Sequence, residues 1–231
     1  MSEYNLNQVW QDFNYAYAVT NSGLDIYSIE STNKVSYIDS IGGFTTIWGN
    51  DTLIYLGTPS NGIKYIPKDT ISGSISEPID LITSLIDYDF YYRPKDRIKY
   101  IHGYDNTLAV VTTSGIDVVN NNINGFKSSF YNTYVTKCFL TSNNQLYYII
   151  KNSPSDDGIH RVNTVYCDWE VPDENYLVGA SFIQEGVEVN DIFVTVNTSE
   201  TGKDNTLFIA TSGGVYVWDE GTSGFDIYYT K

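Results

Sequence analysis

The chain has 231 residues, 42% of them hydrophobic, enough to bury one sizeable core. Its 13 Lys and Arg stand against 28 Asp and Glu, and the formal charge of −15 repels phosphate backbones and anionic lipid surfaces, which argues against nucleic acid and membranes as partners. The N-terminus, MSEYNLNQVWQDF, lacks the basic-then-apolar order of an export signal and no apolar run is long enough to span a bilayer, so a soluble, unexported chain is expected.

Tyr is the unusual component, with 21 copies beside abundant Asn, Ser, Thr and Ile, a usage that favours strands and Asx turns over helices. One phrase recurs along the chain: an apolar run, a polar turn with glycine, and a second short apolar run. It reads YAYAVTNSGLDIYSI from Tyr15, TLIYLGTPSNGIKYI from Thr52, TLAVVTTSGIDVV from Thr107, QLYYIIKNSPSDDGIHRV from Gln145 and TLFIATSGGVYVW from Thr206. Repetition at roughly 40 to 55 residues marks stacked supersecondary units, and about 46 residues per unit accommodates four strands and their turns. Each unit reads as an inner strand a, an Asn/Asp turn, strand b, a glycine turn, strand c and a more variable strand d. In the second unit these are Phe44 to Trp48, Thr52 to Thr58, Ile63 to Ile66 and Pro78 to Thr83.

The glycines of the second turn, Gly23, Gly62, Gly115, Gly158 and Gly214, are expected to supply positive φ. The Asn/Asp turns before strand b, such as Gly49-Asn50-Asp51 and Tyr104-Asp105-Asn106, fit residues that tolerate the left-handed region. The b strands are apolar at nearly every position, which predicts burial on both faces between neighbouring units. No segment shows a convincing helical period. The expected fold is therefore all-β, a five-bladed β-propeller of four-stranded antiparallel blades in one domain over 1–231, with blades near 9–42, 43–87, 97–133, 134–180 and 187–231. A two-sheet sandwich would also give many short strands, but it does not account for matching units.

The second unit, Gly49-Asn50-Asp51-Thr52-Leu53-Ile54-Tyr55-Leu56-Gly57-Thr58 leading to Gly62-Ile63, resembles the repeat of two-component-regulator-type propellers. The last unit, with Gly213-Gly214-Val215-Tyr216-Val217-Trp218-Asp219, resembles the end of a WD-type blade, without the Gly-His that opens one. The whole chain, with its Asn-, Tyr- and Thr-rich repeats, further resembles small propellers among the virion structural proteins of tailed bacteriophages. That resemblance implies a part of a tail, baseplate or fibre, made in the host cytoplasm and located in the virion, with other structural proteins of the assembly as partners.

Signals for chemistry are sparse. Nucleophilic catalysis of the Ser-His-Asp or Cys-His kind needs a histidine, and only His102 and His160 exist. His102, between the inner strand Ile98 to Ile101 and the Asp105 turn, could face a central channel, though a partly exposed position at a blade end is the expectation, and His160 is expected at a rim or groove. The two are far apart and there is no Cys-x-x-Cys, so no metal or cofactor is expected. Cys138 and Cys167 read as buried thiols. Asp51, Asp105, Asp204 and Asp219 recur at turns and Asp25 and Asp117 at matching c-strand positions, which points to structural carboxylates and away from the paired carboxylates of a glycosidase. No enzyme is expected.

Two departures from the repeat carry more information. Arg93, Lys95, Arg97 and Lys99 gather four of the 13 cations beside Tyr91 and Tyr92, and aromatics beside arginine are typical of interface anchors. Tyr91, Tyr92, Arg93, Lys95 and Arg97 are the candidate protein-interface residues. The acidic turn Ser153 to Asp157 is expected to be a plain polar loop rather than a calcium site. Trp10, Trp48, Trp169 and Trp218 read mostly as packing residues. The alternative function, a carbohydrate-binding propeller with a glycan as partner, is weakened because Trp48 and Trp169 do not fall at one repeated position.

Overall fold

The computed structural model describes residues 5–12, 14–30, 35–60, 62–71, 76–81, 97–120, 125–152, 158–164, 176–179, 187–196, 205–219 and 226–230. Among these, every regular element is a strand apart from one short 3-10 turn, Lys68–Thr70. The strands form five four-stranded antiparallel sheets, each a meander of consecutive strands. The first comprises β1 (Leu6–Gln11), β2 (Tyr15–Thr20), β3 (Gly23–Ile29) and β4 (Val35–Ile41). The second comprises β5 (Thr46–Gly49), β6 (Leu53–Gly57), β7 (Ile63–Pro67) and the two-residue β8 (Ile79–Asp80). The third holds β9 (Ile98–Tyr104), β10 (Thr107–Thr112), β11 (Ile116–Asn120) and β12 (Gly125–Phe130). The fourth holds β13 (Val135–Leu140), β14 (Gln145–Ile150), β15 (Gly158–Asn163) and β16 (Tyr176–Gly179), and the fifth β17 (Val189–Val196), β18 (Asn205–Thr211), β19 (Gly214–Asp219) and β20 (Asp226–Thr230).

Local chemistry accounts for the reversals. Asn50 Oδ1 accepts the backbone N–H groups of Thr52 and Leu53, and Asp12 Oδ1 does the same for Asn14 and Tyr15. Asp105 and Asn144 take φ of 52° and 61°, the left-handed region that short polar side chains tolerate. All five glycines of the second turn have positive φ. At Gly115 the requirement is steric as well, because a Cβ would lie 1.9 Å from the carbonyl oxygen of Phe130 on the adjoining strand.

Threonine adds a second device at the glycine turns. The hydroxyls of Thr20, Thr58, Thr112 and Thr211 each donate across the turn to the carbonyl of the turn glycine. In three of the four, the same oxygen also accepts an N–H two residues on, from Ser22, Ser114 and Gly213. Each such threonine closes its hairpin from both sides.

Burial differs between the sheets. In β6, β10 and β14 the residues Ile54–Gly57, Leu108–Thr112 and Leu146–Ile150 are all buried, as strands packed on both faces must be. Four hydrophobic cores lie between consecutive sheets, around Tyr17 and Leu56, Tyr55 and Leu108, Val111 and Tyr148, and Ile149 and Ile209. Side chains stitch the same four interfaces. Lys68 pairs with Asp12, the Asn50 amide reaches the Asp105 carbonyl, Lys99 Nζ donates to the carbonyls of Thr133 and Val135, and the Asn205 amide donates to the Tyr147 hydroxyl.

Candidate functional site: an aromatic-lined central cavity

The first strand of each sheet is its inner edge, and one position on it carries a ring in every sheet. Trp10 stands opposite Tyr17, Trp48 opposite Tyr55, His102 opposite Ala109, Phe139 opposite Tyr147 and Phe193 opposite Phe208. All five ring-bearing residues line one cavity of about 500 Å³. The sheets therefore converge on a shared centre. The rings also touch in sequence, with centroid separations of 6.4 Å for Trp48–His102, 4.1 Å for the stacked His102–Phe139 pair and 5.3 Å for Phe139–Phe193.

An inner edge strand has backbone N–H groups with no strand to bond, a liability that side chains must cover. Here three of the five inner strands have one such group covered from the preceding sheet. Gln8 Oε1 accepts the Ile47 N–H at 3.1 Å, Thr46 Oγ1 accepts that of Ile101 at 3.1 Å, and His102 Nδ1 accepts that of Leu140 at 3.0 Å. Thr46 also donates its hydroxyl proton to Gln8 Oε1, so one threonine links three consecutive inner strands. In the fifth sheet the Ile192 N–H is accepted by the neighbouring Asp191 carboxylate.

The electrostatics follow from burial. Desolvation pushes the His102 imidazole down to about 4, so the ring is neutral near pH 7. Its Nδ1 lone pair is engaged by Leu140, which leaves an Nε2–H donor and no basic nitrogen for proton abstraction. Asp191 is paired with Lys137, whose ammonium also lies 5.3 Å from the Tyr100 ring centroid. Burial, with Asp191 nearby, pushes the Tyr100 phenol up. Burial alone would raise Asp12, but its bonds with Asn14, Lys68 and Tyr15 hold it below the ordinary carboxylate value. The arrangement provides apolar ring faces, a neutral imidazole and, at one side, the Asp191 carboxylate held by Lys137. Its ring faces can pack against an apolar or aromatic group.

The fifth sheet meets the first differently from any other pair. Among the described residues no hydrophobic core, hydrogen bond or ion pair joins them. In β2 the small residues Ala16 and Ala18 alternate, half-buried, with buried Tyr17 and Val19. In β18 Phe208 is 37% exposed between buried Leu207 and Ile209, and its cross-strand partner Phe193 is 55% exposed. Phe208, Ala210 and Val215 of this face join Val9 of the first sheet in lining the cavity, which thus opens sideways into the seam.

The positions of the sequence-predicted residues are mixed. Of the interface candidates only Arg97 is described, and it is exposed ahead of β9; Tyr91, Tyr92, Arg93 and Lys95 lie outside the described residues, as do Ser153 to Asp157, Cys167 and Trp169. His102 is half-buried, as expected, but it stands within the inner strand, faces the cavity and is stacked on Phe139. His160 is not at a rim; it is buried and stacked on Tyr148 at 5.3 Å. Cys138 is a buried free thiol, and burial raises its pKa. The b strands are not all buried on both faces: in β2 and β18 buried residues alternate with half-buried or exposed ones, and among the described residues no neighbour packs on the second face. The repeated ring on strand a went unread because its chemistry varies among Trp, His and Phe. Its register opposite the b-strand residue was the available signal. Among the described residues no group of three or more His, Cys, Asp and Glu could hold a metal ion, and no helix is long and apolar enough to cross a membrane.

The sequence matches no known family, and no curated protein is similar to it. Solved structures are similar in fold. The extracellular domain of the putative hybrid two-component system BT4673 from B. thetaiotaomicron aligns with 100% of this chain at TM-score 0.56 and 18% identity. The Neurospora crassa Pan2 WD40 domain aligns with 98% at TM-score 0.61 and 11% identity, and the WD40 β-propeller domain of Doa1 with 100% at TM-score 0.57 and 12% identity. The chain spans 28%, 65% and 73% of these three chains. At such identities the likeness shows the fold alone: the architecture is all-β with β-propeller neighbours.

Proposed function

We propose that this chain is a noncatalytic interaction module whose five sheets are the five blades of one propeller, serving as a structural part of a larger assembly. The observation that carries the reading is the open apolar surface at the centre and seam, where Phe193 and Phe208 stay exposed beside a ring-lined cavity. Large apolar side chains clustered on a surface mark contact sites. The cavity's polar groups, by contrast, are engaged in holding backbone edges and an ion pair. The resemblance to phage structural propellers extends the proposal to a tail, baseplate or fibre component, with other virion proteins as partners. Exposed Arg97, with Tyr91, Tyr92, Arg93 and Lys95 before it, supplies a second contact in this reading.

Cross-linking followed by mass spectrometry on gradient-purified particles tests it. The chain is expected at fixed stoichiometry, cross-linked to a defined neighbour; its absence from particles would refute the virion role. Serine at Arg93, Lys95 and Arg97 together is expected to reduce incorporation, and unchanged incorporation removes that stretch from the contact. A carbohydrate-binding reading gains one observation, the ring repeated on all five inner strands, since aromatic faces stack on sugars. Dose-dependent binding on a glycan array would place it first.

A further inference from the structure

We infer that the seam between the fifth and first sheets is a docking slot for an extended, basic and apolar segment of a partner protein; this rests on the interaction-module reading and names the partner's chemistry. One wall is the face of the fifth sheet turned away from the fourth, where Phe193, Phe208 and Val217 stand in one cross-strand row and Ala210 and Val215 in the next. The other is the face of the first sheet turned away from the second, where Val9 and Ala18 stand opposite each other and Ala16 lies beside them. The fifth-sheet face is built like those that form cores elsewhere. Phe208 occupies the place that Tyr55 and Ala109 hold on β6 and β10, where both are buried against the next sheet. On the first-sheet wall the b strand is cut back to alanine, with Tyr27 of β3 opposite Ala16, while the matching positions on β6 and β10 carry Ile54 and Leu56, and Leu108 and Val110. A large face opposite a shaved one leaves a gap with apolar sides.

Charge selects the occupant. Among the described residues the first sheet and its turns hold Asp12, Asp25, Glu30 and Asp39, and the fifth holds Glu188, Asp191 and Asp219, with no lysine or arginine in either. Lys34, Lys203 and Lys231 lie outside those residues. The lysines that pair with Asp12, Asp191 and Glu188 come from other sheets, as Lys68, Lys137 and Lys151. Asp25 pairs in register with Ala18 and so belongs to the slot wall, and Asp219 continues the Val217 face on the other side. A segment whose apolar side chains fill the slot between flanking lysines or arginines matches both features. A second copy of this chain matches neither, because it would set acidic sheets against acidic sheets in a molecule of charge −15.

The test uses the whole chain and three fluorescein-labelled heptapeptides: lysine alternating with phenylalanine, isoleucine and valine; the same with serine for the apolar residues; and the same with glutamate for lysine. Anisotropy at 0.15 M salt is expected to show saturable binding of the first peptide, at least tenfold tighter than the second, with none of the third. Phe208→Ser is expected to weaken the first peptide at least tenfold, while Tyr131→Ser, an exposed aromatic away from the seam, leaves it unchanged. Equal binding of the first two peptides, no binding at all, or indifference to Phe208→Ser overturns the slot. A dimer in sedimentation velocity that Phe208→Ser dissolves also overturns it in favour of self-association. If a particle neighbour cross-links equally to wild type and Phe208→Ser, the interaction module stands and the slot alone falls; if no neighbour cross-links to either, the module reading itself fails.

Discussion

Thr46 is the point where the architecture is most exposed to a single atom. Its hydroxyl donates to Gln8 Oε1 and accepts the Ile101 N–H, joining three inner strands from three sheets, and the residue is 1% exposed. Thr46→Val keeps the shape and removes the oxygen. Gln8 then keeps only its bond from Ile47, and the buried Ile101 N–H loses its acceptor. A lost hydrogen bond costs about 1 kcal/mol and a buried orphan donor a further 1–3, so about 3 kcal/mol is expected. For a chain of this length that lowers Tm by about 6–12 °C. Thermal and urea unfolding followed by tryptophan fluorescence measure it, with Thr46→Ser as the control that retains the oxygen and loses only a methyl, at about 1 kcal/mol. A Val variant within about 0.5 kcal/mol of wild type, or a Ser variant as unstable as the Val variant, would show that packing alone joins these strands.

His102 makes stability pH-dependent. The folded chain keeps it neutral down to about pH 4, whereas the unfolded chain protonates near 6.5, so unfolding takes up a proton between these values. This contribution is fully present above pH 6.5 and is lost as pH falls, amounting to about 3 kcal/mol by pH 4. His102→Gln should flatten that limb in urea titrations from pH 7 to 4, and a slope equal to wild type refutes the assignment. Gly115→Ala is expected to cost about 3 kcal/mol or more, because φ is +156° and the new Cβ meets the Phe130 carbonyl. Gly43→Ala, at φ +92° with no atom within 4 Å, should cost only about 1 kcal/mol, and equal losses at the two sites would contradict the steric argument.

The turns were legible because their requirements are local. A glycine at positive φ and an Asn or Asp accepting the next N–H groups depend on a few consecutive residues, and Gly23, Asn50 and Asp105 behave as their types demand. The central cavity was not legible, because its five rings are brought together by sheet register and not by spacing. His102 looked isolated in sequence; in the fold it is the third of five equivalent ring positions. The one-sidedness of β2 was written in YAYAVT, which alternates small with large where LIYL and LYYI do not, but shared glycine turns invited a uniform reading of all five strands.

The contacts around the centre have a direction, and that direction ends. Gln8 serves Ile47, Thr46 serves Ile101 and His102 serves Leu140, but in the fifth sheet Asp191 serves its own neighbour. Each sheet is made of consecutive strands, so no strand of the first completes the fifth. In such an array each sheet is stabilised mainly by its neighbours, and among the described residues the two terminal sheets share a core with one neighbour where the inner three share cores with two. Local opening should follow that inequality. Backbone amides of β10 and β14 are expected to exchange with solvent only on global unfolding, whereas those of β2 and β18 should exchange at least tenfold faster, as read by hydrogen–deuterium exchange with mass spectrometry. Saturating the seam with the basic apolar peptide should slow β2 and β18 together, since both walls would gain a neighbour. If β2 and β18 are instead as protected as β10 without any peptide, the fifth sheet is already packed on the first in solution, and Phe208 is a core residue.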